Sequence, residues 1–154
     1  MGYQPESPNT RKLSRDVRCE GDIPYYRVAQ PGTDKDKQVK LGAAGCHVLG
    51  VTVWDPNYIY PTPDGILYRT GYYDGEAPMV AVDKVVPVEY GATITARQKL
   101  IAGTDGKAYP LVVPSGGTQL ADLQVLLLNG AIIGEAVDSG AAGDIKRVDL
   151  DKKI

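Results

Sequence analysis

Gly45-Cys46-His47-Val48-Leu49-Gly50-Val51-Thr52-Val53-Trp54-Asp55-Pro56 decides the fold class. Its β-branched residues, at Val48, Val51, Thr52 and Val53, favour extended backbone, and Asp55-Pro56 stops it. A glycine inside such a run marks a bulge or a close backbone approach. Successive strand side chains alternate between faces, so Cys46 and His47 are expected on opposite sides.

Outward from this run the chain repeats one theme: short apolar segments punctuated by glycine and proline. Val17–Val28 reads as a first strand region broken at Gly21 and Pro24, and Pro31–Lys37 as an exposed turn. A new apolar segment begins at Val39. Met79–Val88 reads as strand, continued by Gly91–Leu100. Asp105-Gly106 forms a tight turn, Tyr109–Val113 is short and extended, and Ile145–Leu150 is a last strand. Leu120–Leu128 is ambiguous. Leu120, Leu123 and Leu127 have helical spacing, yet Val125–Leu128, Asn129-Gly130 and Ala131–Ile133 form a hairpin pattern. Asn-Gly also closes helices through a left-handed cap. The reading taken is one helical turn at Gln119–Asp122, then a hairpin.

These segments predict an all-β protein, a single-domain β-sandwich or β-barrel with at most a short helix. Residues 1–15 form a flexible N-terminal arm and 16–154 the β domain. The domain carries a Tyr- and Pro-rich excursion at about 55–78, within which Pro61–Gly65 turns a short hairpin. A short echo links His47–Val53 with Ala131–Val137: both have a glycine after apolar residues, and both are soon followed by aspartate (Asp55, Asp138). It suggests two β-modules of similar plan.

The chain has 154 residues, 18 of them glycine and 11 proline, with 10 tyrosines and no phenylalanine. Tyrosine suits half-wet surfaces and contact patches, so the core is expected to rest mainly on Val, Leu, Ile and Ala. A formal net charge of -2 argues against a sequence-independent grip on nucleic acid. No segment reaches the roughly 20 apolar residues that span a bilayer. The N-terminus lacks the pattern of a secretory signal, which places synthesis and use in the cytoplasm. Cys19 and Cys46 are then expected reduced and buried.

A reactive centre is hard to assemble from these residues. His47, the only histidine, reads as a satisfied strand residue. Neither Ser115 nor Ser139 lies in a nucleophile elbow, and Gly103–Ala108 fails the phosphate-loop pattern. The aspartates sit mostly beside Gly or Pro, where they stabilise turns. No catalytic residue, metal site or cofactor is expected.

The order Gly45-x-x-Val48-Leu49-Gly50-Val51-Thr52, Val88-x-x-Gly91-Ala92-x-Ile94-Thr95, Asp105-Gly106-Lys107-Ala108, Ile133-Gly134-Glu135-Ala136-Val137 and Gly140-Ala141-Ala142-Gly143-Asp144-Ile145 resembles the capsid decoration, or structural cement, proteins of tailed bacteriophages. The similarity covers roughly residues 39–150 apart from the Tyr-Pro excursion. It implies a virion protein, assembled in the host cytoplasm, that binds the outer surface of the assembled head and clamps neighbouring major capsid proteins. Multivalency would come from self-association, a homotrimer first and a dimer second. Partners are thus the major capsid protein and itself, with no nucleic acid and no membrane. Candidate contacts are Arg11, Lys12 and Arg15 in the arm, and Tyr25, Tyr26, Tyr58, Tyr60, Tyr72 and Tyr73. Adjacent tyrosines in a strand face opposite ways, so one of each pair packs while its neighbour makes contact; the alternative is that they only cover the sheet rim. The alternative function is a ligand- or glycan-binding β-module with Trp54 and the Tyr-Pro loop as a stacking platform. Trp54 buried beneath the sheet favours cement; Trp54 exposed beside Tyr58 favours the platform.

Overall fold

The computed structural model describes residues 11–13, 16–55, 59–62, 65–112 and 119–153. The first half contributes β1 (Arg18–Cys19), β2 (Ile23–Pro24), β3 (Val28–Pro31), β4 (Gln38–Leu41), β5 (Gly50–Thr52), β6 (Ile59–Thr62), β7 (Gly65–Tyr68), β8 (Gly71–Tyr72) and β9 (Val80–Ala81). The second contributes β10 (Val85–Glu89), β11 (Lys99–Ala102), β12 (Ala108–Pro110), α1 (Gln119–Leu128), β13 (Ile132–Ala136) and β14 (Ile145–Asp149). Two five-stranded sheets result, ordered β1-β4-β3-β5-β9 and β10-β14-β13-β11-β12. Pairing is antiparallel except where β1 runs parallel to β4. Among the described residues the fold is all-β with one helix, as the punctuated sequence requires.

Only Gly50–Thr52 of the decisive run is ladder-bonded, inserted between β3 and β9. The residues before it approach as a loop, yet Cys46 and Val48 point inward while His47 is exposed. The expected alternation survives without the strand. His47 is therefore not the strand histidine the sequence suggests; its Nδ1 lies 2.9 Å from the Asn129 carbonyl.

Met79–Val88 is not one strand. It leaves the first sheet after Ala81 and enters the second at Val85, turning at Lys84, whose φ is +62°. The Lys84 carbonyl accepts the Leu150 N–H at 2.7 Å, so the C-terminal strand holds this crossover from the other side.

The two sheets share one buried cluster, the packing expected of a sandwich. Val28, Val51, Val53 and Ala81 of the first half meet Val86, Val88, Leu100, Ile133 and Val148 of the second. A second cluster, on Cys19, Ile23, Tyr25, Tyr26, Ala29, Val39, Tyr72 and Val80, joins the first sheet to the β2–β8 pair. With no phenylalanine available, tyrosine fills the largest interior sites. Tyr26, Tyr72 and Tyr90 are among the bulkiest fully buried side chains, which the surface reading of tyrosine did not anticipate. Their polar tips explain how this is tolerated: the Tyr72 hydroxyl donates to the Val53 carbonyl and the Tyr90 hydroxyl to the Asp138 carbonyl.

The expected Val125–Ile133 hairpin is absent. Gln119–Leu128 is a ten-residue helix, and Asn129-Gly130 is its cap. Gly130 has φ +65°, its N–H bonds the Leu127 carbonyl at 3.1 Å, and the Ala131 N–H bonds the Leu126 carbonyl at 2.9 Å. This is the paired bonding of a Schellman motif. A hairpin partner had no place, because β14 and β11 already occupy both edges of β13.

Candidate functional site

The arm and the tyrosines were the candidate contacts, and the structure separates them. Arg11–Leu13, the part of the arm that is described, lies along β9. The Leu13 N–H donates to the Val80 carbonyl and the Val82 N–H to the Arg11 carbonyl, both at 2.9 Å. Asp83 grips Arg11 twice, accepting from the backbone N–H and from Nε at 2.7 Å each. Those bonds hold the Asp83 carboxyl below its ordinary range, the backbone N–H contributing most. Lys12 bridges Ala81 in the same augmentation. Arg15 and Tyr58 lie outside the described residues.

Tyr25 and Tyr26 do not sit one on each face. Tyr26 adopts φ +64°, which breaks the two-residue alternation, and both rings turn inward. They are 5% and 2% exposed, with centroids 6.2 Å apart. Tyr72 meets Tyr25 edge-on at 5.1 Å and is 1% exposed. These three rings are core. Tyr72 and Tyr73 do alternate: Tyr73, just past β8, is 54% exposed. The Arg69 guanidinium lies 4.0 Å over its ring and bonds both carboxylate oxygens of Glu76. Arg69 holds the Glu76 carboxyl below its ordinary range, helped by the Tyr73 N–H. Tyr73 is thus a surface ring in a fixed frame. Tyr60 stands on β6 opposite Leu67 of β7. That ribbon, with Thr62 facing Gly65, is the short hairpin expected inside the excursion, and it joins neither large sheet.

Sequence reasoning missed the clasp between the sheets. Glu89 Oε2, on a side chain 9% exposed, accepts from Arg27 Nη2 at 3.3 Å and Lys107 Nζ at 3.1 Å. Arg27 Nη1 also reaches the Asp105 carbonyl at 2.9 Å, and the Val28 N–H reaches Gly106 at 2.8 Å. The signal was present: Glu89 ends an otherwise apolar strand, and a charge there needs a partner.

Several glycines of the quoted motifs mark close approaches, whereas Gly45 and Gly143 serve left-handed turns with open space around them. A Cβ on Gly50 would stand 2.2 Å from the Ala81 carbonyl oxygen, and one on Gly134 2.1 Å from that of Asp149. The two echoing strands therefore use glycine alike, each where a neighbouring strand's backbone presses in; at Gly134 the register with β11 also shifts. Gly91 and Gly103 both lie beneath the Tyr109 ring. Ile94 and Gly140 exchange backbone bonds at 2.8 and 2.9 Å, joining two further motif segments.

Cys19 and Cys46 are free and buried. Burial, reinforced by Glu76, Asp74 and Asp22, pushes the Cys19 thiol up to about 12, and burial also raises Cys46. Such thiols are inert. Among the described residues no three His, Cys, Asp or Glu side chains are grouped as metal ligands, and no helix is long and apolar enough to cross a membrane. Trp54 is half-buried against the tyrosine-containing cluster, and Tyr58, its partner in the platform reading, lies outside the described residues.

The described residues thus form a clasped β-body with Arg11–Leu13 docked along β9 and one framed surface ring, Tyr73. The sequence pattern of the family described as structural cement protein (E217 gp24/Pam3 gp6) matches residues 3–151, and the chain belongs to that family. Among solved structures, the head fiber gp8.5 N base of bacteriophage phi29 matches with a TM-score of 0.58 at 17% identity, covering 90% of this chain and 93% of that one. That likeness speaks for the fold. No curated protein sequence matches. The protein is a capsid-associated structural protein of a bacteriophage.

Proposed function

We propose that this protein cements an assembled phage head by binding its outer surface and bridging neighbouring major capsid proteins. The observation that carries the reading is the family match across residues 3–151. The protein acts without catalysis or cofactor, assembles onto heads in the host cytoplasm, and works as a homo-oligomer, a trimer first, because several linked weak contacts hold far better than one. The body supports this role. Its sheets are locked by a shared core and by the Arg27–Glu89–Lys107 clasp, so contacts are presented with little ordering to lose on binding. Of the candidate contacts, Tyr73 offers an exposed ring and Arg11 an exposed guanidinium; Lys12, Arg15, Tyr58 and Tyr60 complete the proposed set. Tyr25, Tyr26 and Tyr72 are reserved for the interior.

Purified protein mixed with expanded, empty heads of its phage tests the reading. Co-sedimentation that saturates at a fixed number of copies per head is expected. Protein that stays in the supernatant at every concentration overturns it.

A further inference from the structure

We propose that the outward side of α1 is the surface through which copies of this chain associate with one another. The proposal deepens the cement reading, which calls for several copies acting together. Leu128 is 87% exposed, Val125 54% and Leu127 41%, while Leu123 and Leu126 on the inner side are half-buried. Apolar side chains belong against other apolar surface, and on this side of the helix Val125, Leu127 and Leu128 have none.

The exposure is built in. The Schellman bonds at Gly130 fix the helix end, His47 Nδ1 lies 2.9 Å from the Asn129 carbonyl, and the Val48 N–H donates to the Gly130 carbonyl at 2.8 Å. A Cβ on Gly130 would strike the His47 ring at 2.4 Å, so that seat is closely fitted. Leu128 is held outward by a rigid anchor.

Charge identifies the occupant. Asp122 is the single charged residue between Pro110 and Glu135, in a chain whose charged residues make up 23%. A patch that meets its own copy near a rotation axis sets each residue beside its counterpart, so any charge there faces a like charge. Neutrality is what such a position demands. A foreign partner makes no such demand, because its surface can carry the opposite sign. Val125 and Leu128, three apart, and Gln124, four before Leu128, form the short ridge that packs against an identical neighbour.

Sedimentation velocity on the full chain at micromolar concentration tests this, with Leu128→Glu as the variant; a residue so exposed can change without disturbing the fold, which far-UV circular dichroism verifies. The wild type is expected at a multiple of its 16.5 kDa chain mass and the variant at one chain. A monomeric wild type, or a variant that keeps the wild-type mass, overturns the proposal. Head co-sedimentation separates the two readings. If Leu128→Glu dissociates the oligomer and neither form binds heads, self-association stands and the cement reading fails. If the wild type is monomeric and Leu128→Glu abolishes head binding, the patch belongs to the shell.

Discussion

Replacing Gly134 by alanine tests the claim that this fold is closed by backbone approaches which only glycine permits. The added Cβ would stand 2.1 Å from the Asp149 carbonyl oxygen and 3.1 Å from the Leu150 Cα, atoms of backbone that cannot rotate away. An ordinary carbon–oxygen contact is longer by about 1 Å, so β13 and β14 must part by that much where Glu135 faces Asp149 and Ala136 faces Val148. Parting weakens one or two ladder bonds at about 1 kcal/mol each. Overpacking adds about 1–3 kcal/mol, for a total of about 3 kcal/mol. In a domain of this size that lowers the Tm by about 6–12 °C. Gly21→Ala is the comparison, because Gly21 has φ +82° with nothing within 4 Å of its would-be Cβ. It isolates the backbone cost of a left-handed alanine, about 1 kcal/mol or about 2–4 °C. Urea titration and calorimetry of both variants supply the numbers. Gly134→Ala unfolding no more easily than Gly21→Ala would refute the reasoning, since Gly134 has no left-handed backbone to strain and its close approach would then cost only about 1 kcal/mol instead of about 3.

Four further outcomes are expected. Glu89→Gln removes the charge that Arg27 and Lys107 share, and urea midpoints should show a loss of about 2 kcal/mol; this is below the usual figure for a broken buried pair because Lys107 is partly solvated and Arg27 keeps the Asp105 carbonyl. Alkali should unfold the protein early. Burial raises Cys19, Tyr25 and Tyr90 each to about 12 from 9.0 for the thiol and 10.0 for the phenols, so their neutral forms stabilise the fold fully below pH 9.0 and that contribution drains as pH rises towards about 12. The Tm should hold level to about pH 8.5 and fall beyond it, and a thiol reagent at pH 8 should label Cys19 and Cys46 only in denaturant; rapid labelling of the folded protein would contradict their burial. Asp83→Ala frees Arg11 and should speed tryptic cleavage after Lys12, whose following N–H is tied to Val80 in the wild type; an unchanged cleavage rate would mean that Asp83 does not hold the arm.

What could be read from the sequence and what could not divide along a physical line. The Ile145–Leu150 strand, the Asp105-Gly106 turn and the Tyr-Pro hairpin were readable because each is settled by a few neighbouring residues, whereas Met79–Val88 and Gly91–Leu100 are strand only in part. Gly50 and Gly134 stood out for the same reason: a glycine amid β-branched residues has no local advantage, so something distant must require it. Val125–Leu128 was misread because Asn129-Gly130 suits both a hairpin turn and a helix cap. The choice was made by β11 and β14, which fill both edges of β13 from elsewhere in the chain. The tyrosine pairs failed at Tyr26, where a single left-handed residue cancels the alternation from which the surface assignment was drawn.

Those errors share a direction that bears on how a cement protein is read. Residues of the kind interfaces favour, Tyr25, Tyr26 and Tyr72, went inside because a chain without phenylalanine has only one large ring other than tyrosine, Trp54, to offer its core. Leucines and valines of the kind cores favour, Leu128 and Val125, were left outside. Composition assigns residues by chemical type, whereas the body takes whatever fills its volume and leaves a surface shaped by partners the single chain does not contain. In such a protein the informative quantity is the mismatch: an apolar side chain held outward by a rigid anchor. Leu128 meets that condition more fully than Tyr25, Tyr26, Tyr72 or Tyr73, which makes the helix end the first place to perturb.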